Sequence, residues 1–184
     1  MAPPQYGLIA YVSNPLGQFV EELRRELQPE EAGSMAHLSV LPPRPLMGSE
    51  AEALELIEDL CRDVKPFEVS MGDVESFMPR TPTVFIRVAH GAYRMRELHD
   101  RLNRSVLQFE EPYPYMPHLT IFRFDDPERA RRALAVAQER WEKYQGPRRL
   151  LIEQLVFVRG SREAGWLDVA PIPLGRRMAP TVTA

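Results

Sequence analysis

The stretch Tyr115-Met-Pro-His-Leu-Thr-Ile-Phe-Arg123 recurs upstream in a fainter form, as Ser34-Met-Ala-His-Leu-Ser-Val-Leu-Pro42. In each copy a turn-prone segment precedes an apolar, β-branched run, and this pattern predicts a short strand. Alternate side chains of a strand share a face, so each histidine shares a face with the hydroxyl residue two positions later. The other face is apolar and is expected to contact a core. Two matched copies of an imidazole and a hydroxyl on one face predict a functional site.

The rest of the chain repeats one order of elements around these copies: strand, helix, histidine strand, helix, strand. Helices are predicted where apolar residues recur at spacings of three and four, and strands where they alternate or run together. The first round comprises a strand at 5–13, a helix at 16–27, the histidine strand from 37, a helix begun by a capping box of Ser49 and Glu52, and a strand at 67–74. The second comprises a strand at 83–89, a helix at 95–106, the histidine strand from 118, a helix capped by Asp126 and Pro127, and strands at 150–158 and 166–172.

This repetition predicts an α+β fold built by tandem duplication. Two pseudo-symmetric lobes are expected at about 5–78 and 83–174, within a single domain spanning 1–174, and an exchange of strands between them stays open. The histidine strands would then face each other across the junction, where small ligands usually bind. The proline-rich run at 41–48 is expected to be an irregular loop, and 175–184 a flexible tail.

Composition narrows the class of partner. The chain has 184 residues, a net charge of −3 and a pI near 5.9, whereas proteins that grip long duplex nucleic acid through many phosphates are usually basic. A small ligand or a nucleic-acid end is therefore expected. The single cysteine of the sequence, Cys61, rules out an internal disulfide and a cysteine zinc site. With no signal-peptide pattern at the N-terminus and no apolar run of membrane-spanning length, we expect a cytoplasmic monomer without a membrane partner.

Two imidazoles and two hydroxyls suit displacement at a phosphodiester. A neutral histidine can take the proton of an attacking water or hydroxyl, while a protonated histidine gives a proton to the leaving oxygen. An ordinary pKa near 6.5 allows both states near neutral pH. We therefore interpret His37 and His118 as candidate acid and base, and expect the hydroxyls of Ser39 and Thr120 to donate to the non-bridging phosphate oxygens. This scheme requires no metal ion and no cofactor.

The same residues have plainer interpretations. A single H-x-[ST] tripeptide is frequent by chance, so either histidine alone could be an ordinary strand residue bound to a neighbouring carbonyl. Two copies at equivalent places in a repeat favour function. A metal site is disfavoured, since no H-x-H, HExxH or carboxylate cluster lies beside the histidines. His90 and His99 are interpreted as surface or boundary residues, and Cys61 as a core residue.

The paired motifs His37-Leu-Ser-Val40 and Pro117-His-Leu-Thr-Ile121, the second followed by Arg123, resemble the signatures of the two-histidine (2H) phosphoesterase superfamily. Within it, the chain is most similar to the bacterial 2′-5′ RNA ligase-like proteins and cyclic phosphodiesterases, from Tyr6 to about Leu174. The resemblance implies two antiparallel sheets flanked by helices around a central cleft. It also implies activity on 2′,3′-cyclic or 2′-5′ phosphodiesters of RNA ends or nucleotides.

By this resemblance His37 and His118 form the acid–base pair, and Ser39 and Thr120 bind phosphate. Arg123 is a candidate phosphate-binding or cleft residue, and we expect it to share the face of Thr120. The resemblance further suggests that His118 activates water and that His37 protonates the departing 3′ oxygen, which leaves a 2′-phosphate. Pseudo-symmetry alone does not decide these two roles.

The substrate is less closely defined. Two alternatives stay open: a non-catalytic protein that binds RNA ends or nucleotides, and a phosphodiesterase for a non-RNA cyclic phosphate metabolite. Ligation through an activated nucleotide is not suggested, because the sequence has no P-loop and no evident adenylation lysine. The loop residues that could either stack on a base or plug the junction are Phe77, Met78, Tyr113 and Tyr115. Arg44 and Arg80 are interpreted as contacts for a terminal phosphate or as solvated charges.

Overall fold

Strands and helices make up most of the computed structural model, which describes residues 4–161 and 165–175. The strands are β1 (Gln5–Tyr11), β2 (His37–Arg44), β3 (Phe67–Ser76), β4 (Thr83–His90), β5 (His118–Arg123), β6 (Arg149–Ile152), β7 (Gln154–Ser161) and β8 (Gly165–Pro173). The helices are α1 (Leu16–Leu27), α2 (Glu50–Cys61), α3 (Ala92–Leu102) and α4 (Pro127–Lys143), with short 3-10 turns at Pro29–Glu31 and Ser105–Leu107. The predicted α+β class is confirmed. The tail expected at 175–184 lies, apart from Gly175, outside the described residues.

The strands of the described residues form one antiparallel sheet, in the order β6-β3-β4-β5-β2-β1-β7-β8. Its two four-stranded halves meet where β2 lies beside β5, and there the ladder registers the pair of Leu38 with Leu119. The two sheets expected from the family resemblance are thus the halves of one sheet. Glu153 alone separates β6, at one edge, from β7, next to the other edge. The sheet must therefore curl to bring these two strands close.

The halves have the same layout but do not follow the order of the chain. Outward from the junction, each half consists of a histidine strand, the strand that precedes it in the chain and two further strands. β3 pairs with β4 and β6, whereas β7 and β8 extend the half that contains β1. Strands are therefore exchanged relative to a simple division into 5–78 and 83–174.

Two predictions about strands are wrong. The proline-rich run begins inside β2, which continues through Pro42 and Pro43 because Arg44 still pairs with Tyr6 of β1. Proline lacks the N–H that a second neighbour would need, and both prolines lie beyond the point where β2 meets β5. The single strand expected at 150–158 is two strands, β6 and β7. Its unbroken apolar pattern gives no sign that the chain changes partners at Glu153.

The helices cover one face of the sheet. The predicted capping box of Ser49 and Glu52 is present at α2, and the side chain of Asp126 accepts from the backbone of the first turn of α4. α1 packs against β5, and α3 packs against β2. Each of these two helices therefore contacts the histidine strand of the opposite half. None of the helices in the described residues is both long and apolar enough to cross a membrane.

The junction strands show the alternation that their sequences predict. Their helix-facing residues belong to the main core and are at most 1% exposed: Leu38, Val40, Leu119 and Ile121. The opposite face of β2 and β5, which we call the site face, carries the histidines and the hydroxyl residues. Core packing under the junction therefore sets which side chains reach the site face.

We expect Leu38→Ala to lower the free energy of unfolding by about 2–5 kcal/mol, because it truncates a fully buried side chain and leaves a cavity that its neighbours fill only in part. Urea denaturation followed by circular dichroism measures this. The matched control is Leu151→Ala, which changes a leucine that is 56% exposed and should shift stability by less than about 0.5 kcal/mol. Equal effects of the two substitutions would contradict the packing described for the junction.

Candidate active site

The pairing of β2 with β5 brings the four motif residues together. Leu38 and Leu119 are opposite each other in an antiparallel ladder, so His37 lies across from Thr120 and Ser39 lies across from His118. All four are half-buried. The two histidines stand on the diagonal of this group, a spacing of roughly 7–8 Å between backbones that long side chains can span.

The two imidazoles are held in the same way. Nδ1 of His37 lies 2.8 Å from the carbonyl oxygen of Met35, and Nδ1 of His118 lies 2.7 Å from that of Met116. Because a carbonyl only accepts, Nδ1 carries the proton in each ring. Nε2 of each histidine is then the nitrogen available to accept or donate a proton. The plainer interpretation, a histidine bound to a neighbouring carbonyl, accounts for Nδ1 but leaves Nε2 without a structural task.

The surroundings favour the neutral form of both rings. Burial lowers the pKa of His37 and of His118, and the hydrogen bond to the carbonyl only partly opposes this. The positive charge of Arg123 lowers both pKa values further. Arg24 acts in the same direction on His37, and His37 itself acts on His118. One arginine therefore lies close enough to influence both histidines.

A β-bulge decides which way Arg123 faces. Strict alternation from Thr120 would place Arg123 on the buried face together with Ile121. The ladder with β4 instead pairs Thr120 with Phe85 and Arg123 with Thr83, and a register shift lies between them. Ile121 is thus an extra residue, and Arg123 returns to the site face, where it is exposed. The expected facing occurs, but through the bulge and not through regular alternation.

Arg24 of α1 and Gln28, the residue that follows α1, hold this bulge from the helix side, and neither is among the residues predicted for the site. Arg24 donates to the carbonyls of Thr120 and Ile121, at 2.6 and 2.9 Å, and Gln28 donates to that of Arg123 at 2.7 Å. Both are buried. The sequence does contain a signal for Arg24, because it lies four residues after Val20 on the apolar stripe of the helix.

The strands beside the two histidine strands complete the site face with unlike residues. Across from His37, β1 places Tyr11, whose hydroxyl donates to Asp168 at 2.6 Å. Across from His118, β4 places Arg87. Its guanidinium forms a salt bridge with the carboxylate of Glu75 at 3.0 Å. The two sides of the site therefore differ in charge and shape although the backbone is pseudo-symmetric.

Apolar side chains line the site face on both sides. Phe77 stacks on Phe85, with ring centroids 4.1 Å apart, and its edge meets the ring of His118 at 5.0 Å. On the other half a small cluster separate from the main core consists of Ile9, Val156 and Val158, with Tyr11 and Trp166 packed against it. Phe77 thus contacts a candidate acid–base residue, and a stacked base is not needed to explain its position.

Tyr115 fills the junction and does not lie open for a base. Its hydroxyl donates to the carbonyl of Ser39 at 2.8 Å, and its ring stacks on His99 with centroids 4.1 Å apart and an angle of 2°. The interpretation of His99 as a surface or boundary residue is wrong, since it is 5% exposed and lies 2.8 Å from Glu111 through Nε2. Nothing near His99 in the sequence marks this distant carboxylate as its partner.

Arg44 has neither of the roles considered for it. Its side chain is 1% exposed and forms an ion pair with Glu111, and it donates to Asn103 at 2.8 Å. Arg80 instead lies over the ring of Tyr113, 5.9 Å from its centroid. The prolines that flank Arg44 in the sequence do not indicate that this residue is buried. Its acceptors, Asn103 and Glu111, lie some sixty residues away along the chain.

Cys61 is a core residue, as predicted, and burial raises the pKa of its thiol to about 11. Across residues 4–161 and 165–175, no three histidine, cysteine, aspartate or glutamate side chains are grouped so that they could hold a metal ion. The candidate chemistry of the described residues therefore centres on the two histidines, the two hydroxyls and Arg123.

Known proteins resemble this chain in sequence. The 2′-5′ RNA ligase superfamily matches residues 12–164. A protein of Halalkalibacterium halodurans named as a phosphoesterase is 27% identical over 118 residues, which cover 63% of this chain and 68% of that protein. Another, of Oceanobacillus iheyensis and named in the same way, is 22% identical over 125 residues, covering 64% and 69%.

Solved structures share the fold. E. coli LigT complexed with NADP+ has a TM-score of 0.62 at 15% identity, over 96% of this chain and 100% of that chain. LigT complexed with 3′-AMP has a TM-score of 0.61 at 15% identity, over 94% and 99%. A protein of Thermus thermophilus has a TM-score of 0.62 at 14% identity, over 92% and 97%. Because the family match spans most of its length, the chain belongs to the 2′-5′ RNA ligase superfamily, a superfamily of phosphoesterases.

Proposed function

We propose that this protein is a phosphodiesterase that hydrolyses, or reversibly forms, 2′,3′-cyclic or 2′-5′ phosphodiesters of RNA ends or nucleotides by two-histidine acid–base catalysis. One observation carries the proposal. His37 and His118 stand on one face across a strand junction, each with Nδ1 bound to a carbonyl and Nε2 left for proton transfer. Each has a hydroxyl residue across from it on the neighbouring strand.

The reaction follows from these positions. An oxygen of water attacks phosphorus while one neutral imidazole takes the proton of that water at Nε2. The bond from phosphorus to the leaving oxygen breaks, and the second histidine, protonated, gives its Nε2 proton to that oxygen. Ser39, Thr120 and Arg123 would hold the non-bridging oxygens as negative charge develops on them. Each proton and each charge has a named partner in this scheme, so it calls for no metal ion.

Lowered pKa values suit the base more than the acid. In the free protein at neutral pH both rings are mainly neutral, because burial and the nearby arginines disfavour the imidazolium. A phosphodiester is an anion, and its charge beside the rings favours protonation of one of them. Binding of the substrate would thereby supply the proton that the general acid needs.

The net charge of the chain and the ligands of its structural relatives favour a small substrate. A net charge of −3 does not favour a long nucleic-acid footprint. LigT of E. coli has been solved with 3′-AMP and with ATP, and a small nucleotide or the end of an RNA chain is accordingly the class that we propose here. Within this class His118 acts as the base and His37 as the acid, which leaves a 2′-phosphate.

We expect His37→Ala and His118→Ala each to lower kcat on a 2′,3′-cyclic nucleotide by roughly 10² to 10⁴, the usual scale for a lost acid or base. Activity should survive treatment with EDTA. The control is His90→Ala, because His90 is exposed at the end of β4. Full activity in the double histidine variant would show that the motifs are structural. Nucleotide binding without turnover in the unmodified protein would favour a binding protein instead.

A substrate with a good leaving group distinguishes the two roles. An aryl phosphodiester expels a phenolate that hardly needs a proton, so loss of the general acid should matter little. We expect His37→Ala to be much less damaging on the aryl diester than on a 2′,3′-cyclic nucleotide, and His118→Ala to be damaging on both. Phosphorus NMR of the cyclic-nucleotide product should show a 2′-phosphate. A 3′-phosphate, or rescue of the His118 variant, would reverse the assignment.

Both histidines should titrate below their ordinary value of 6.5 when followed by proton NMR of the ring carbons in the free protein. Arg123→Gln removes a positive charge near both rings and should raise both midpoints. Arg131→Gln, on an exposed part of α4, should raise neither. Inorganic phosphate should raise the midpoint of at least one ring in the unmodified protein. Midpoints at or above 6.5 without phosphate would contradict the proposed protonation states.

A further inference from the structure

The two motifs meet where the ladder of the sheet is short. β5 is paired with β4 from Thr83 to Arg87, and β2 is likewise paired along β1. Between β2 and β5 the ladder registers Leu38 with Leu119. The ladder that joins the two histidine strands is therefore short. Interactions beyond this ladder should add to their alignment, because the proposed chemistry needs both motifs around one phosphate.

Arg24 makes such an interaction. Arg24 is 6% exposed, and its guanidinium donates to the carbonyl of Thr120 at 2.6 Å, to that of Ile121 at 2.9 Å and to that of Ser34 at 2.7 Å. Ser34 lies three residues before His37, in the first motif, whereas Thr120 and Ile121 lie in the second. One side chain thus binds the backbone of both motifs across the junction.

The guanidinium also supports the bulge that turns Arg123 to the site face. A bulge interrupts the regular ladder, and two of the carbonyls that Arg24 binds flank it. Gln28, one helical turn later, donates to the carbonyl of Arg123 at 2.7 Å and accepts from its N–H at 3.4 Å. Arg24 of α1 and the residue that ends this helix, Gln28, therefore hold the stretch from Thr120 to Arg123 in its bulged form.

A second hydrogen bond from a side chain to a backbone carbonyl joins the two halves, this time from the second motif to the first. The hydroxyl of Tyr115, just before β5, donates to the carbonyl of Ser39 at 2.8 Å. The carbonyls of both hydroxyl residues are thus held by side chains from the opposite half. Burying a guanidinium against neutral carbonyls is an expensive way to gain stability, but its rigid fork of donors suits the simultaneous binding of several fixed acceptors.

We propose that Arg24 is a positioning residue of the active site, whose guanidinium sets the spacing of the two histidine motifs and the direction of Thr120 and Arg123. This inference rests on the proposed phosphodiesterase function. Arg24 does not touch the substrate; it acts through the backbone of residues that do. A lysine cannot replace it, because one ammonium on a flexible stem cannot hold three carbonyls in fixed directions.

The charge of Arg24 allows a second measurement, that of the pKa values of the two histidines. It lowers the pKa of His37, but it is not among the causes that shift the pKa of His118. Arg123 influences both rings, and the carboxylates of Glu21 and Glu31 act on Arg24 itself. Removing the charge at Arg24 should therefore raise the pKa of His37 more than that of His118, whereas general loosening of the fold would change both alike.

The experiment compares Arg24→Gln and Arg24→Lys with Arg25→Gln, a change of the exposed neighbour on the same helix. All are assayed on a 2′,3′-cyclic nucleotide below the melting temperature of the least stable variant. We expect both Arg24 variants to lose kcat by up to about 10², the scale of a displacement of 1 Å, with a smaller change in KM. Arg25→Gln should behave as the unmodified protein. NMR should show a raised midpoint for His37 in Arg24→Gln, a lower one in Arg24→Lys, which keeps the charge, and a smaller change for His118 than for His37 in Arg24→Gln.

Unchanged kcat in folded Arg24→Lys and Arg24→Gln would overturn the positioning role. Should Arg24→Gln fail to fold, Arg24→Lys carries the test, and Tyr115→Phe, which removes a single donor from the opposite bond, should also lower kcat. An unmodified protein without turnover on any phosphodiester would refute the proposed function. An active unmodified protein with equally active Arg24 variants would refute this inference alone.

Discussion

The contact between Leu38 and Leu119 is the constraint on which the site depends. These two side chains are fully buried and lie side by side on the same face of the sheet at the junction of the halves, so their neighbours along each strand must face the other way. A slip of one residue in either strand would exchange the buried and exposed sets. The core would then receive imidazoles and hydroxyls, and the penalty for burying them excludes that register. Hydrophobic packing on one face thereby specifies a polar constellation on the other.

The two halves share one layout, with a histidine strand in each, but this layout gives no reason for the two histidines to differ. Both rings have the same Nδ1 hydrogen bond to a carbonyl two residues earlier. The position equivalent to Arg123 in the first copy is Pro42, so the arginine that influences both rings comes from one half alone. The strands outside the histidines also differ, with Tyr11 on one side and Arg87 on the other. The backbone is pseudo-symmetric, but the electrostatic field around the two imidazoles is not. This difference gives a physical basis for the different roles proposed for His37 and His118.

His99 and the two motif histidines are distinguished by their partners. Burial alone would lower the pKa of His99, but its hydrogen bonds to Glu111 and Asp100 outweigh burial and raise it. His37 and His118 have carbonyl partners in place of carboxylates, and their pKa values fall. The carboxylate of Glu111 favours the charged form of His99, within a network that also includes Arg44 and supports Tyr115. A neutral partner leaves the charge of the motif histidines dependent on what binds beside them.

Much of this protein is determined by short-range features of its sequence. Alternation in the two motifs, the capping box at Ser49 and the helical periodicities act over a few residues, which is why the elements, the helix caps and the faces of His37 and His118 could be predicted. The family resemblance depends on the same local motifs. Tertiary structure alone decided the facing of Arg123, the burial of Arg44 and His99, and the hydrogen bonds of Arg24. Each of these depends on partners distant in the chain or on a bulge defined by pairing with β4, and no local pattern specifies which distant carbonyl or carboxylate a buried polar group will meet.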